Sequence, residues 1–342
     1  MRRKILVITA IISFLFSCTQ NFNKENFFYI ERDGAVMPVW VRGNIDSKVM
    51  VIILHGGPGG TSVLYLPDYL KELENDYGFV YWDQRGAGSS QGNGGSNNVN
   101  IYLESINEDL SLLIDIVKAK YDVNKIFLFG HSWGGAVGTS FLLDKSRQGK
   151  VDGWIELDGG HNGKRDLPLS VQYVKDYANK KISECEKIEY WQKCLNWYDT
   201  NPVLTNGYTY VFEHEEYVNA CNGIFLDPEV KKKVWDSTSQ YISSPFNLIS
   251  SSCNSLNAVL NVPFISLDLT YEMGNITLPT LILWGRYDGI IPVKIGEQAY
   301  EKIGTPINDK KLIIYENSAH NAVFEEPDKF NQDVKAFINK YK

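Results

Sequence analysis

Between an apolar run, Ile126–Phe129, and the small residues Gly134-Gly135-Ala136, the chain reads Gly130-His131-Ser132-Trp133-Gly134. Few arrangements satisfy such a stretch. The apolar run predicts a buried strand, and the glycines and alanine predict a helix that lies close against its neighbours. Ser132 then sits at a sharp strand-to-helix turn, with the first N–H groups of the helix converging on its oxygen. Side chains at Gly130 and Gly134 would collide with the neighbouring strand and helix, which accounts for the glycines. A hydroxyl in this setting is a candidate nucleophile. It becomes one only when a base takes its proton and a carboxylate orients that base.

The rest of the chain supplies a matching frame. Phe27–Ile30 and Ala35–Arg42 flank the turn Arg32-Asp33-Gly34 and predict a hairpin. Met50–Leu54, Phe79–Trp82 and Val151–Leu157 are further apolar runs, as expected of strands buried on both faces. Tyr102–Lys120 carries Leu110, Leu113, Ile114 and Val117 at helical spacing. From Asn162 to Leu278 the rhythm breaks, and a stretch so long is expected to be an inserted helical cap rather than a loop. Alternation resumes with Thr280–Trp284, Val293–Ile303, Leu312–Tyr315 and Asp328–Lys340. Strands alternating with helices predict an α/β fold, a mostly parallel sheet with helices on both faces. The boundaries read as a core of 27–161 and 279–342, with a cap of 162–278.

In such a frame the partners of Ser132 are expected beyond later strand ends, in the order serine, acid, histidine. Asp288 follows the strand Thr280–Trp284, and His320 follows Leu312–Tyr315; of the five histidines, His320 alone lies downstream of Asp288. Two N–H donors are needed for the oxyanion. Trp133 supplies one, and the loop His55-Gly56-Gly57-Pro58-Gly59-Gly60 supplies the other, assigned to Gly57. That loop lacks the Lys-Ser/Thr of a phosphate-binding loop. His55 and His131 read as braces. The chemistry requires no metal and no cofactor.

Composition narrows the partners. The net charge of −7, without a long basic run, argues against a nucleic-acid surface. No stretch reaches the ~18 uninterrupted apolar residues of a spanning helix. Arg2, Arg3 and Lys4 precede an apolar run that ends at Leu15-Phe16-Ser17-Cys18, the pattern of an export signal over residues 1–17. The ending resembles the lipobox of bacterial lipoproteins, a family in which the cysteine is lipidated. The resemblance implies lipidation at Cys18, a tether over 18–26, and an exported protein held to a bacterial membrane by acyl chains alone. Cys185, Cys194, Cys221 and Cys253 could form two disulfides in that setting, with three possible pairings. Free buried thiols are the alternative.

Taken together, His55–Gly60, Asp83–Ser90, Gly130–Gly135 and the ending His320 followed by Glu325-Glu326-Pro327 resemble the prolyl iminopeptidase group of the α/β-hydrolases. The resemblance covers roughly residues 27–160 and 278–340. It implies an α/β-hydrolase core, a triad of Ser132, Asp288 and His320, and an oxyanion hole at Gly57 and Trp133. It also implies hydrolysis at the N-terminal residue of short peptides, often proline. Asp83 and Arg85 are expected to form an ion-paired turn at the pocket rim. Members of this group hold the substrate's free amine with acidic cap residues, for which Glu272 and then Glu213 are the candidates here. Aromatics of the cap, Trp191, Trp197 and Tyr198 among them, could line a pocket or form the cap's own core. A carboxylesterase, lipase or lactonase acting on small acyl substrates remains the alternative, since the cap motif does not match residue by residue. A non-enzymatic binding protein on the same fold is a third reading.

Overall fold

In the strand Val49–Leu54 the alternation of a pleated chain sorts the side chains to two places. Met50, Ile52 and Leu54 enter one hydrophobic core, and Val49, Val51 and Ile53 enter another. Both faces of the sheet are therefore covered, which is why this strand contains no polar residue. Each fully buried aliphatic side chain stabilises the fold by ~1.5–3 kcal/mol, so a polar residue here would be costly. The computed structural model describes residues 26–92, 102–202, 207–239 and 264–342; the stretch 1–17 read as an export signal, Cys18 and Cys253 lie outside them.

Among the described residues nine strands form one sheet. They are β1 (Phe27–Arg32), β2 (Ala35–Gly43), β3 (Val49–Leu54), β4 (Gly78–Trp82), β5 (Gln91–Gly92), β6 (Lys125–His131), β7 (Gly153–Leu157), β8 (Thr280–Gly285) and β9 (Lys310–Tyr315). The order is β1-β2-β4-β3-β6-β7-β8-β9, with β5 paired to β2. The first strands form the expected antiparallel hairpin, and all pairings from β4 to β9 are parallel. The ends of β3, β4, β6, β7, β8 and β9 consequently share one edge. Parallel sheets place their sites in the loops that leave such an edge.

Helices α1 (Lys71–Asp76), α2 (Leu103–Tyr121), α3 (Trp133–Leu143) and α4 (Lys145–Gln148) lie between the earlier strands. On α2 the side chains of Ile106, Leu110, Leu113, Ile114 and Val117 are buried, as their spacing predicts, against the same face as α3. Helices α5 (Gly163–Ser183), α6 (Ile188–Thr200), α7 (Gly207–Ala220) and α8 (Pro228–Ser239) stand between β7 and β8. Trp191, Tyr198, Tyr210 and Tyr217 close a separate core among them, with Trp197 packed against it. Of the two sequence readings for the cap aromatics, the structure shows the core. The chain finishes with α9 (Lys294–Lys302), α10 (Ala322–Glu325) and α11 (Pro327–Tyr341), the last covering the second face.

The cysteines correct an expectation. Cys185 is an exposed free thiol, and Cys194 and Cys221 are buried free thiols, so no disulfide joins these three. Cys194 and Cys221 sit in the apolar core of the cap, where burial pushes the Cys194 thiol up to about 12. They fill space as small hydrophobic groups. Among the described residues no helix is long and apolar enough to cross a membrane.

Candidate active site

Ser132 occupies the turn from β6 into α3 with φ 56° and ψ −118°, a conformation sparsely populated by residues with a side chain. The backbone is pinned on both sides. Ser132 N–H donates to Leu157 O at 3.0 Å, and its own carbonyl accepts from Gly135 at 2.8 Å and Gly160 at 2.9 Å. Crowding explains the flanking glycines as the sequence predicted. A Cβ on Gly130 would lie 2.4 Å from Gly134 O, and one on Gly134 would lie 1.9 Å from Leu54 O.

Beyond β8 and β9 the structure brings Asp288 and His320 together. His320 Nδ1–H donates to Asp288 Oδ2 at 2.8 Å, and Asp288 Oδ1 accepts from the amides of Ile290 and Ile291, each at 2.8 Å. The proton on Nδ1 leaves Nε2 with a lone pair, the state a general base needs. His131, next to Ser132, ties this histidine to the elbow. Its Nε2–H donates to His320 O at 2.8 Å, while Tyr65 O–H donates to its Nδ1 at 2.6 Å. Burial, reinforced by His320, pushes His131 down to about 3, so it stays neutral. Burial likewise pushes the His320 imidazole down and lifts the Asp288 carboxyl, which the Ile290 and Ile291 amides oppose. Ser132 Oγ makes no hydrogen bond among the described residues. In substrate-free enzymes the serine–histidine contact is often long and tightens on binding.

The two expected oxyanion donors lie in the segments that follow β3 and β6. Gly56 lies directly beside Ser132, where a Cβ would sit 3.2 Å from Ser132 Cβ. Next to it, Gly57 has φ 138° and precedes a cis peptide to Pro58. Among the described residues neither the Gly57 nor the Trp133 amide is taken by a hydrogen bond. The loop is braced from behind. His55 Nδ1–H donates to Gly56 O at 2.8 Å, its Nε2 accepts from Gln84 N–H at 3.1 Å, and the Trp133 indole donates to Gln84 Oε1 at 3.1 Å. The Asp83–Arg85 pair expected from the sequence is not formed. Asp83 accepts from Thr61, Ser62 and Ser89, whereas Arg85 makes a two-pronged pair with Asp109 of α2 at 2.5 and 2.7 Å. His131, Asp158 and His320 offer ligand atoms within 4.8 Å of one another, but both His131 nitrogens, His320 Nδ1 and one Asp158 oxygen are already hydrogen-bonded.

The family profile described as alpha/beta hydrolase fold matches residues 49–327. The chain belongs to the α/β-hydrolase fold family. Two relatives are similar along nearly their whole length. One is the probable aminopeptidase YbaC of Bacillus subtilis, 24% identical over 310 residues, with 87% of this chain and 91% of the relative covered. The other is a proline iminopeptidase of Saccharolobus solfataricus, 27% identical over 302 residues, with 86% of each chain covered. A solved structure, the esterase RhEst1 from Rhodococcus sp. ECU1013, superimposes with a TM-score of 0.59 at 19% identity, covering 93% of this chain and all of the other.

The cap of this α/β-hydrolase is sewn to the loops that follow β8 and β9. Glu325 Oε1 accepts from Leu226 N–H at 2.6 Å and Asp227 N–H at 3.1 Å, while Oε2 accepts from Ala319 N–H at 2.8 Å. One carboxylate thus joins the lead into α8 to the residue before His320. Gly289, following Asp288, donates its N–H to Gly223 O at 2.9 Å and accepts from Ser170 Oγ of α5, which in turn is held by His214 Nε2 at 2.8 Å. Glu325→Ala would leave three amides without an acceptor. It is expected to cost ~1–3 kcal/mol, read as a lowered urea midpoint, with Glu325→Gln costing less.

Neither candidate for amine binding is placed beside Ser132. Glu272 is exposed, in a turn whose Asn275 carbonyl accepts from Gln148 of α4, beyond the far end of α3. The physical reason is direction. Residues preceding a parallel strand lie at the opposite edge from residues following it, and six residues of β8 span ~20 Å. Glu213 lies on α7 beside Tyr217, Tyr190 and Cys194, facing the cap's own interior. One acid that the sequence reading left aside does lie at the site. Asp158 follows β7 as Asp288 follows β8, and that placement was the available signal.

Proposed function

We propose that this α/β-hydrolase is a serine hydrolase working through an acyl-enzyme, and that it releases N-terminal residues, proline or other apolar ones, from short peptides. The observation supporting the chemistry is the 2.8 Å hydrogen bond from His320 Nδ1 to Asp288, beside a serine held at φ 56°. His320 Nε2 takes the Ser132 proton as Oγ attacks the carbonyl carbon. The Gly57 and Trp133 amides receive the oxyanion, and Asp288 offsets the charge on the imidazolium. The imidazolium then protonates the leaving amine. Water, deprotonated by the same nitrogen, hydrolyses the ester to Ser132 and restores the resting state.

The aminopeptidase direction is supported by the loops His55–Gly60 and Asp83–Ser90 and by the two peptidase relatives. The position of Glu213 and Glu272 away from the nucleophile favours a second reading, an esterase acting on small acyl groups. A panel comparing proline arylamide, its N-acetylated form and a short-chain nitrophenyl ester separates them. Peptidase action is expected to favour the free-amine arylamide over the acetylated one by about 10²-fold or more, since an amine carried out of water requires a carboxylate partner. Turnover of the ester with neither arylamide would establish the second reading instead.

A further inference from the structure

A fourth ionisable side chain is buried at the edge where Asp288 and His320 meet. Asp158, the residue after β7, has φ 48° and is wholly inaccessible to solvent. Its backbone N–H donates to Leu283 O at 3.0 Å, and its Oδ1 accepts from Gly285 N–H at 2.8 Å. Oδ2 is buried, and no donor among the described residues reaches it. The carboxyl group lies against that of Asp288 in hydrogen-bonding contact, with an oxygen within 4.8 Å of ring nitrogens of both His131 and His320.

Two carboxylates in contact and out of water cannot both remain ionised, so the pair holds one proton. The donors decide its place. Asp288 receives the Ile290 and Ile291 amides and His320 Nδ1, three groups that stabilise an anion. Asp158 receives a single amide. Burial and the neighbouring Asp288 hold the Asp158 carboxyl well above the ordinary carboxylate range. The other ionisable groups around it are Glu325, Tyr65 and Tyr315, besides His131 and His320. A proton on Asp158 Oδ2 also gives that atom the partner it otherwise lacks.

We propose that Asp158 is a positioning residue that donates an O–H hydrogen bond to Asp288, and that it supplies the carboxylate for His320 when Asp288 is made neutral. The proposal rests on the serine-hydrolase reading of the site. In the normal cycle no proton leaves Asp158: the pair faces the imidazolium with one negative charge throughout. Its role is to keep the Asp288 carboxylate fixed for His320. When Asp288 cannot ionise, Asp158 loses its proton to solvent and presents the charge from the adjoining strand end.

The test uses the full chain. The infrared difference spectrum of wild type minus Asp158→Asn is expected to show the C=O stretch of a protonated carboxylic acid at neutral pH; absence of that band overturns the proposal. In ester hydrolysis, Asp158→Ala is expected to lower kcat by about 10² with KM little changed, the scale of a misplaced catalytic group. Asp158→Asn, which still donates an N–H to Asp288, is expected to recover most of that loss. A neutral acid in a triad ordinarily costs ~10⁴ in kcat. With Asp158 in reserve, Asp288→Asn is expected to lose only about 10², and the double variant Asp158→Asn/Asp288→Asn about 10² more. If Asp288→Asn is already as impaired as the double variant, Asp158 is no reserve. The spectrum separates the two levels of inference. Should Ser132→Ala remain active, the serine reading fails while the band still reports on the carboxyl pair.

Discussion

Ser132→Ala is expected to abolish turnover of arylamide and ester alike, with a loss of about 10⁶ in kcat, while leaving the fold intact. A serine-directed phosphonate should label the wild-type chain at one site and the variant at none. The separation of activity from stability follows from where the residue sits. Ser132 Oγ makes no hydrogen bond among the described residues, so its removal leaves no buried partner unsatisfied. The backbone strain at φ 56° is the same for alanine as for serine. Ser132→Gly sharpens the point. A side chain in such a conformation costs ~1–3 kcal/mol, and glycine relieves it at ~0.5–1 kcal/mol of added chain entropy. The glycine variant should therefore be more stable than the alanine variant by about 1 kcal/mol in urea and equally dead. Turnover above a hundredth of wild type in either variant would remove Ser132 from the mechanism. A glycine variant clearly weaker than the alanine one would show that the elbow is not strained.

Much of this site was legible because it is built from local rules. Buried parallel strands need unbroken apolar runs, so Met50–Leu54 and Ile126–Phe129 announced themselves. Once strands alternate with helices, residues just beyond strand ends share an edge, and Asp288 and His320 could be paired before any distance was known. What was not legible lies across space. Asp83 and Arg85 are two residues apart, yet the aspartate is held by Thr61, Ser62 and Ser89 and the arginine by Asp109. Spacing along a chain does not say which of many donors will fold within reach. Glu272 misled for the opposite reason. It is near Asp288 in sequence, but a whole strand separates them, and a strand crosses the molecule. The cap resisted for want of period. On α7, Gly207–Ala220, aromatic and charged residues are mixed too evenly for one face to stand out.

The crowding behind the elbow makes the second strong prediction. Gly134→Ala adds one carbon, which would lie 1.9 Å from Leu54 O, 2.6 Å from Leu54 C and 3.1 Å from His55 O. These are backbone atoms, and no side chain can swing aside to relieve the contact. Either α3 moves off the sheet or the end of β3 is pushed away. The first outcome strips the buried helix from its core, at ~4–5 kcal/mol or more, an exceptional cost for a single methyl group. Gly149→Ala is the control. There the nearest atoms to a new Cβ are Ser146 O at 3.6 Å and Lys145 O at 3.7 Å, and φ is −66°. That substitution is expected to be neutral or to stabilise by ~0.4–1 kcal/mol through the unfolded chain. Thermal midpoints of the two variants should differ far beyond error, and a Gly134→Ala protein within 1 kcal/mol of wild type would refute the packing account. The second outcome has its own signature. Leu54 and His55 lead directly into Gly56 and Gly57, so any Gly134→Ala molecules that fold should react with the phosphonate much more slowly per folded chain. Displacing β3 moves the oxyanion donor before it unfolds the protein, and the same methyl therefore tests the fold and the catalytic geometry together.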